Sequence, residues 1–164
     1  MKFRTRIDTL LIALSLALAL PAPAEVKTGD AFPSPAAHGV GGKLPSTKGK
    51  VVLYDFWASW CGPCRAALPS YEALYKKFHD RGLEIIAVGT DTDAAAAGKF
   101  VGKLSLSFPV VTDTKQAFVA LVAPPTMPTS YLVGKDGRVL LVHKGFHGEK
   151  SVAQLTAAIE AALK

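Results

Sequence analysis

The chain contains two cysteines, Cys61 and Cys64, and they lie two residues apart in Trp60-Cys61-Gly62-Pro63-Cys64. This spacing lets the two sulfurs close a short ring. An apolar run, Val51-Val52-Leu53-Tyr54-Asp55-Phe56-Trp57, ends just before the pair, and a helical pattern begins with it. At a helix N-terminus the positive end of the macrodipole stabilises a thiolate, and cysteines in such motifs have pKa values lowered to about 3.5–7.5. Cys61 is then the nucleophile and the more exposed sulfur, with Cys64 one turn deeper as the resolving thiol. The same pair read as half of a zinc site needs two further ligands. The four histidines, His38, His79, His143 and His147, have no paired spacing that supplies them.

Asp55 stands inside the apolar run, where an unpaired carboxylate is costly. Burial raises the pKa of such a group and suits it to take the proton from Cys64 as that thiol becomes a nucleophile. Pro63 falls in the first helical turn, where its missing N–H is not needed, and Gly62 leaves room for a substrate backbone.

The elements that must position these residues follow from periodicity. Residues 50–57 read as a buried strand. A helix runs from Gly62 or Pro63 to about Asp80, with Tyr71, Leu74, Tyr75 and Phe78 on one face and Gly82 as its stop. Residues 83–89 read as a second buried strand, followed by a helix capped by Thr92 or Asp93, a short strand over 108–112 and a short helix over 115–121. Pro124-Pro125-Thr126-Met127-Pro128 excludes regular structure. Residues 129–133 and 138–144 form strands joined by the turn Gly134-Lys135-Asp136-Gly137, and a helix bearing Val152, Leu155, Ile159 and Leu163 closes the chain. In residues 25–49, Gly39-Val40-Gly41-Gly42 reads as a turn between two short strands. The expectation is an α/β fold: one mixed central sheet flanked by helices, an N-terminal hairpin extension, and an inserted strand–helix segment near residues 83–107.

Residues 1–24 differ in character from the rest. Lys2, Arg4 and Arg6 precede an almost wholly apolar stretch from Thr9 to Leu20, and Ala22-Pro23-Ala24 has the small-residue pattern of a cleavage site. This reads as a secretory signal peptide, leaving residues 25–164 as one domain in the periplasm or another exported compartment. The apolar stretch is shorter than the ~20 residues that span a bilayer, although retention would leave the protein membrane-anchored. An exported protein with two cysteines has no disulfide framework, and a bridge across so short a loop adds little chain-entropy stability. It is a reagent rather than a staple. The net charge of +6 is scattered, with no block of like charges and no nucleic-acid motif.

Taken together, Phe56-Trp57-Ala58-Ser59-Trp60-Cys61-Gly62-Pro63-Cys64 resembles the active-site segment of the thioredoxin superfamily. Asp55 matches the buried acid of thioredoxins, Pro69 the proline that kinks the active-site helix, and Met127-Pro128-Thr129 the loop whose proline is cis and faces the cysteines. The long lead-in from Gly29, the strand–helix segment at 83–107 and Met127-Pro128-Thr129-Ser130-Tyr131-Leu132-Val133 running into Asp136-Gly137 are similar to the exported TlpA/ResA-like proteins.

The resemblance implies a thiol:disulfide oxidoreductase with a thioredoxin-like fold. Its redox group is the Cys61–Cys64 disulfide, with no metal and no other cofactor. Trp60, Gly62, Pro63, Met127 and Pro128 line the substrate site, the Met127 backbone pairing with the client's cysteine segment. The implied partners are oxidised client proteins, among them apocytochrome c and copper-site assembly proteins, and a membrane thiol donor; a monomer is expected. The Gly-Pro dipeptide resembles that of reducing thioredoxins. Cytochrome-maturation members usually carry an amide where this chain has Asp55, and an acid at the position of Thr92. The difference favours a thioredoxin-like relay through Asp55 over a cytochrome-specific role. Two other functions use the same cysteines. A peroxidase needs an activating threonine three residues before the reactive cysteine, where this chain has Ala58. A copper or haem chaperone would use the sulfurs as soft ligands.

Overall fold

The computed structural model describes residues 25–164. The signal-peptide segment expected at 1–24 lies outside the described residues. Nine elements follow the order β1 Val51–Trp57, α1 Gly62–Phe78, β2 Leu83–Gly89, α2 Ala94–Val101, β3 Val110–Thr112, α3 Ala117–Val122, β4 Thr129–Val133, β5 Val139–Lys144 and α4 Glu149–Ala162.

The five strands form one sheet in the order β3-β2-β1-β4-β5. β1 pairs in parallel with β2 and antiparallel with β4, so it lies at the centre with both edges occupied. All seven of its residues are buried, which explains its unbroken apolar run. Side chains alternate across the sheet. Val51, Leu53 and Trp57 face a core shared with α1 and α4, while Val52, Tyr54 and Phe56 face a second core with α3. Asp55 falls in the first set. The alternation puts its carboxyl beneath α1, the helix that carries both cysteines.

α1 buries Cys64, Ala67, Leu68, Tyr71, Leu74, Tyr75 and Phe78 along one face. It runs through Pro69, which supplies no N–H for the Arg65 carbonyl. Ser70 Oγ bonds the next carbonyl, Ala66 O, at 3.0 Å. Proline inside a helix costs about 3 kcal/mol, which the large buried face of α1 outweighs. Gly82, at φ 103°, ends the short turn that follows, in a conformation that favours glycine.

The expected N-terminal hairpin does not form. The lead-in makes a 3-10 turn at Pro35–His38 and two isolated bridges, Ala31 with Arg138 and Gly41 with Thr112. These partners lie toward opposite edges of the sheet, so the segment crosses the sheet instead of pairing with itself. The reason is burial. α3 alone leaves much of the second face open, and Val26, Phe32, Val40 and Leu44 complete its cover. Phe32 stacks on Tyr54 with ring centroids 4.4 Å apart. The strand expected at 108–112 is confined to Val110–Thr112, following Pro109, which lacks a donor. Among the described residues no helix is long and apolar enough to cross a membrane.

Candidate active site at the end of the central strand

Parallel strands and their following helices place loops at the C-terminal end of the sheet, and β1 delivers the cysteine motif there. Cys61 is the N-cap of α1, in extended conformation, and its Sγ accepts a hydrogen bond from Cys64 N at 3.3 Å. The two cysteines are joined as a disulfide, with Cα atoms 5.4 Å apart. Gly62 and Pro63 open the helix and both are exposed. A Cβ built on Gly62 would meet no atom within 4 Å, so open space lies over the bridge at that point.

The expected order of exposure holds, but the contrast is small. Cys61 is 4 % exposed and Cys64 is fully buried, because both sulfurs pack into the core beneath α1. Trp60 stands out instead, 71 % exposed immediately before the bridge. Trp57 is fully buried, its indole against Gly89 and tilted on Phe100 at 5.4 Å. It is part of the scaffold.

The Met127–Pro128 peptide bond is cis. Thr129, next in the chain, pairs with Phe56, so Pro128 is carried to the end of β1 from which the cysteine loop departs. Gly145 N, after β5, donates to Pro128 O at 2.8 Å and ties this loop to the neighbouring strand.

Asp55 is fully buried. Burial pushes its carboxyl up to about 8, against the opposing effect of a hydrogen bond from Ser130. Ser130 Oγ donates to Asp55 Oδ1 at 2.8 Å, while Oδ2 has no protein partner. Tyr71 OH lies 2.9 Å from Ser130 Oγ. A serine hydroxyl has one proton. With that proton on Asp55, Tyr71 must be the donor, and the chain runs from Tyr71 through Ser130 to Asp55. Burial also raises the Tyr71 phenol, which keeps it protonated as that role requires.

Of the two acids flanking Thr92, Asp91 turns toward the motif and Asp93 does not. Asp91 is buried and accepts from Ser59 N at 2.9 Å and Ser59 Oγ at 2.6 Å, holding the turn two residues before Cys61. Asp93 caps α2 through Ala95 N. His147 is exposed, with its ring beside Gly145. Among the described residues no cluster of three or more His, Cys, Asp or Glu side chains is arranged to hold a metal.

Sequence reasoning misses Ser59, Tyr71 and Ser130 as site residues. Ser130 carried the nearest thing to a signal, as a polar residue in an apolar strand two positions beyond Pro128.

The Redoxin family model matches residues 27–159. A thiol-disulfide oxidoreductase ResA from Bacillus thuringiensis is 37 % identical over 113 residues, 69 % of this chain and 64 % of that protein. ResA from Bacillus subtilis is 33 % identical over 67 % of this chain and 62 % of its own length. The chain thus spans a little less than two thirds of these relatives. Among solved structures, a candidate thiol:disulfide interchange protein DsbE from Chlorobium tepidum superposes with a TM-score of 0.75 at 34 % identity, covering 85 % of this chain and all of that one. On the family match and these likenesses, the chain belongs to the Redoxin family, as a TlpA/ResA-like member of the thioredoxin superfamily.

Proposed function

We propose that the protein is an exported thiol:disulfide oxidoreductase that reduces disulfides of client proteins through a Cys61/Cys64 dithiol–disulfide cycle. The observation that carries the reading is the Cys61–Cys64 bridge closed across the first turn of α1, on the same side of the sheet as buried Asp55. The kinship with ResA supports it.

In the reduced protein the helix N-terminus favours the Cys61 thiolate. That thiolate attacks one sulfur of the client disulfide. An S–S bond forms between Cys61 and the client, and the client's other sulfur leaves as a thiolate that takes up a proton. Cys64 then gives its proton to the Asp55 carboxylate and attacks Cys61 Sγ. The Cys61–Cys64 bond forms, the mixed disulfide breaks, and the second client thiolate departs. Two electrons have passed to the client. A thiol donor at the membrane restores the dithiol by the reverse exchange.

Trp60, Gly62, Pro63, Met127 and Pro128 frame the approach. The cis bond to Pro128 presents the Met127 backbone for strand-like pairing with an extended client segment. Kinship with TlpA/ResA-like proteins points to apocytochrome c and copper-site assembly proteins as clients. The basic and apolar character of residues 1–24 supports export to the periplasm, and the protein acts there as a monomer with the disulfide as its redox group.

The test is a Cys64→Ser variant expressed in the exporting cell. It should accumulate mixed disulfides through Cys61 that vanish on adding reductant and in Cys61→Ser. Absence of trapped adducts, with wild type reducing a model disulfide readily, would overturn the order of attack assigned here.

A further inference from the structure

A groove of about 410 Å³ opens beside the cysteine motif, lined by Ser59, Arg65, Lys99, Phe100, Lys103 and Leu104 among others. Ser59 is two residues before Cys61 and Arg65 directly follows Cys64, so the groove is continuous with the redox loop. Its three charged side chains are all cations, and all are exposed. Among the described residues none of them joins an ion pair; the paired lysines are Lys50, Lys76, Lys77 and Lys144. Of the acids on the flanking elements, Asp91 accepts from Ser59, Glu72 is held by Ser107 and Lys76, and Asp93 caps α2 through Ala95 N.

The position of Arg65 is informative. It lies near the N-terminus of α1, where the macrodipole disfavours a cation, and no acid offsets it in the first turn. Its guanidinium is held over the Phe100 ring at 5.6 Å, with one nitrogen on Ser59 O at 3.4 Å. This aims a fork of donors along the groove. Lys99 lies in the last turn of α2 and Lys103 in the turn that follows the helix end at Val101, and both line the groove.

We propose that this groove seats an acidic, extended segment of the client protein adjoining its disulfide. Carboxylates of the segment meet Lys99, Lys103 and Arg65, and an apolar side chain rests on Phe100 and Leu104. The proposal rests on the oxidoreductase reading and names the chemistry of its substrate.

The experiment uses three disulfide-bearing peptides that differ only in their flank: Glu-Leu-Glu, Gln-Leu-Gln and Lys-Leu-Lys. Reduction by the pre-reduced protein is followed at low ionic strength, where exposed charge pairs are least screened. The Glu peptide should show kcat/KM about fivefold above the Gln peptide and the Lys peptide should fall below it, with the difference in KM. A K99Q/K103Q double variant should bring the three peptides together. A K115Q/K150Q variant, which removes the same charge elsewhere, should keep the preference. Equal kcat/KM for the Glu and Gln peptides, or a preference that survives in K99Q/K103Q, would overturn the groove's role while leaving the redox cycle standing. Failure to reduce any peptide would overturn the redox reading itself, and this proposal with it.

Discussion

Ser130 Oγ donates a hydrogen bond to Asp55 Oδ1 at 2.8 Å, across the β1–β4 ladder in which the two residues are directly paired. The bond favours the ionised carboxylate and so opposes the burial that raises Asp55 to about 8. Replacing Ser130 with Ala removes that opposition without adding a charge. A hydrogen bond to a charged group is worth ~1.5–3 kcal/mol, about one to two pKa units. The pH midpoint for resolution of a Cys61 mixed disulfide should therefore move upward by about one unit in Ser130→Ala. Tyr71→Phe should move it in the same direction by less, because Tyr71 acts only by polarising Ser130. Single-turnover resolution rates between pH 6 and 10 check this. A midpoint unchanged in Ser130→Ala would remove Asp55 from the proton path.

The same carboxyl gives a stability signature that needs no turnover. Its folded pKa lies above its unfolded value, so between about pH 4 and 8 the native state holds a proton that the unfolded chain releases. Asp55 is compatible with full stability below that window, and stability is lost as pH rises through about 8. At ~1.4 kcal/mol per unit, the rise from 3.8 to about 8 limits the loss to about 6 kcal/mol. Asp55→Asn cannot ionise and should show a flatter dependence. Denaturant unfolding of the oxidised forms at pH 5 and pH 9 should show the variant gaining on wild type at the higher pH. Parallel profiles would mean that Asp55 is not buried as a neutral acid.

Asp91 works on the motif by holding Ser59, through both its backbone N–H and its hydroxyl. Asp91→Ala leaves these donors without their acceptor and should cost about 2–3 kcal/mol of stability. The Ser59-Trp60-Cys61 turn then loses its anchor. kcat/KM for disulfide reduction should fall more than the stability loss alone explains, with Asp91→Asn intermediate because it retains one acceptor oxygen. Equal activity of Asp91→Ala and wild type at a temperature where both are folded would reduce Asp91 to a purely structural residue.

What the sequence reveals and conceals follows from where each signal resides. Cys61, Cys64, Asp55 and Pro128 are legible because residue type itself is the signal: a reactive pair at a helix start, an acid in an apolar strand, a proline in a tight loop. The helical face of Tyr71, Leu74, Tyr75 and Phe78 is legible because its period is local. Ser130 is not, since its meaning depends on an antiparallel register with a residue 75 positions away. The same holds for Ser59 and Asp91, which lie on different loops. The lead-in misleads because Gly39-Val40-Gly41-Gly42 has hairpin chemistry. The open face of the sheet, a tertiary demand, draws Phe32, Val40 and Leu44 across it instead.

Gly89 ends β2 under the Trp57 indole, and its role is space. A Cβ built there would lie 3.1 Å from Trp57 Cζ2, 3.3 Å from Cε2 and 3.5 Å from Val111 O. Trp57 is fully buried and tilted against Phe100, so the ring has little freedom to retreat. Gly89→Ala should destabilise by about 1–3 kcal/mol through overpacking, although its backbone φ is one that alanine adopts without strain. The consequence reaches the site by two routes. Trp57 O accepts from Thr90 N at 2.9 Å and anchors the end of β1, and Phe100 carries the Arg65 guanidinium. A displaced indole should therefore alter Trp fluorescence of the native protein and lower kcat/KM. Restoring volume with Trp57→Phe in the Gly89→Ala background should recover part of the stability. If the double variant is less stable than Gly89→Ala alone, the ring clash is not the source of the loss.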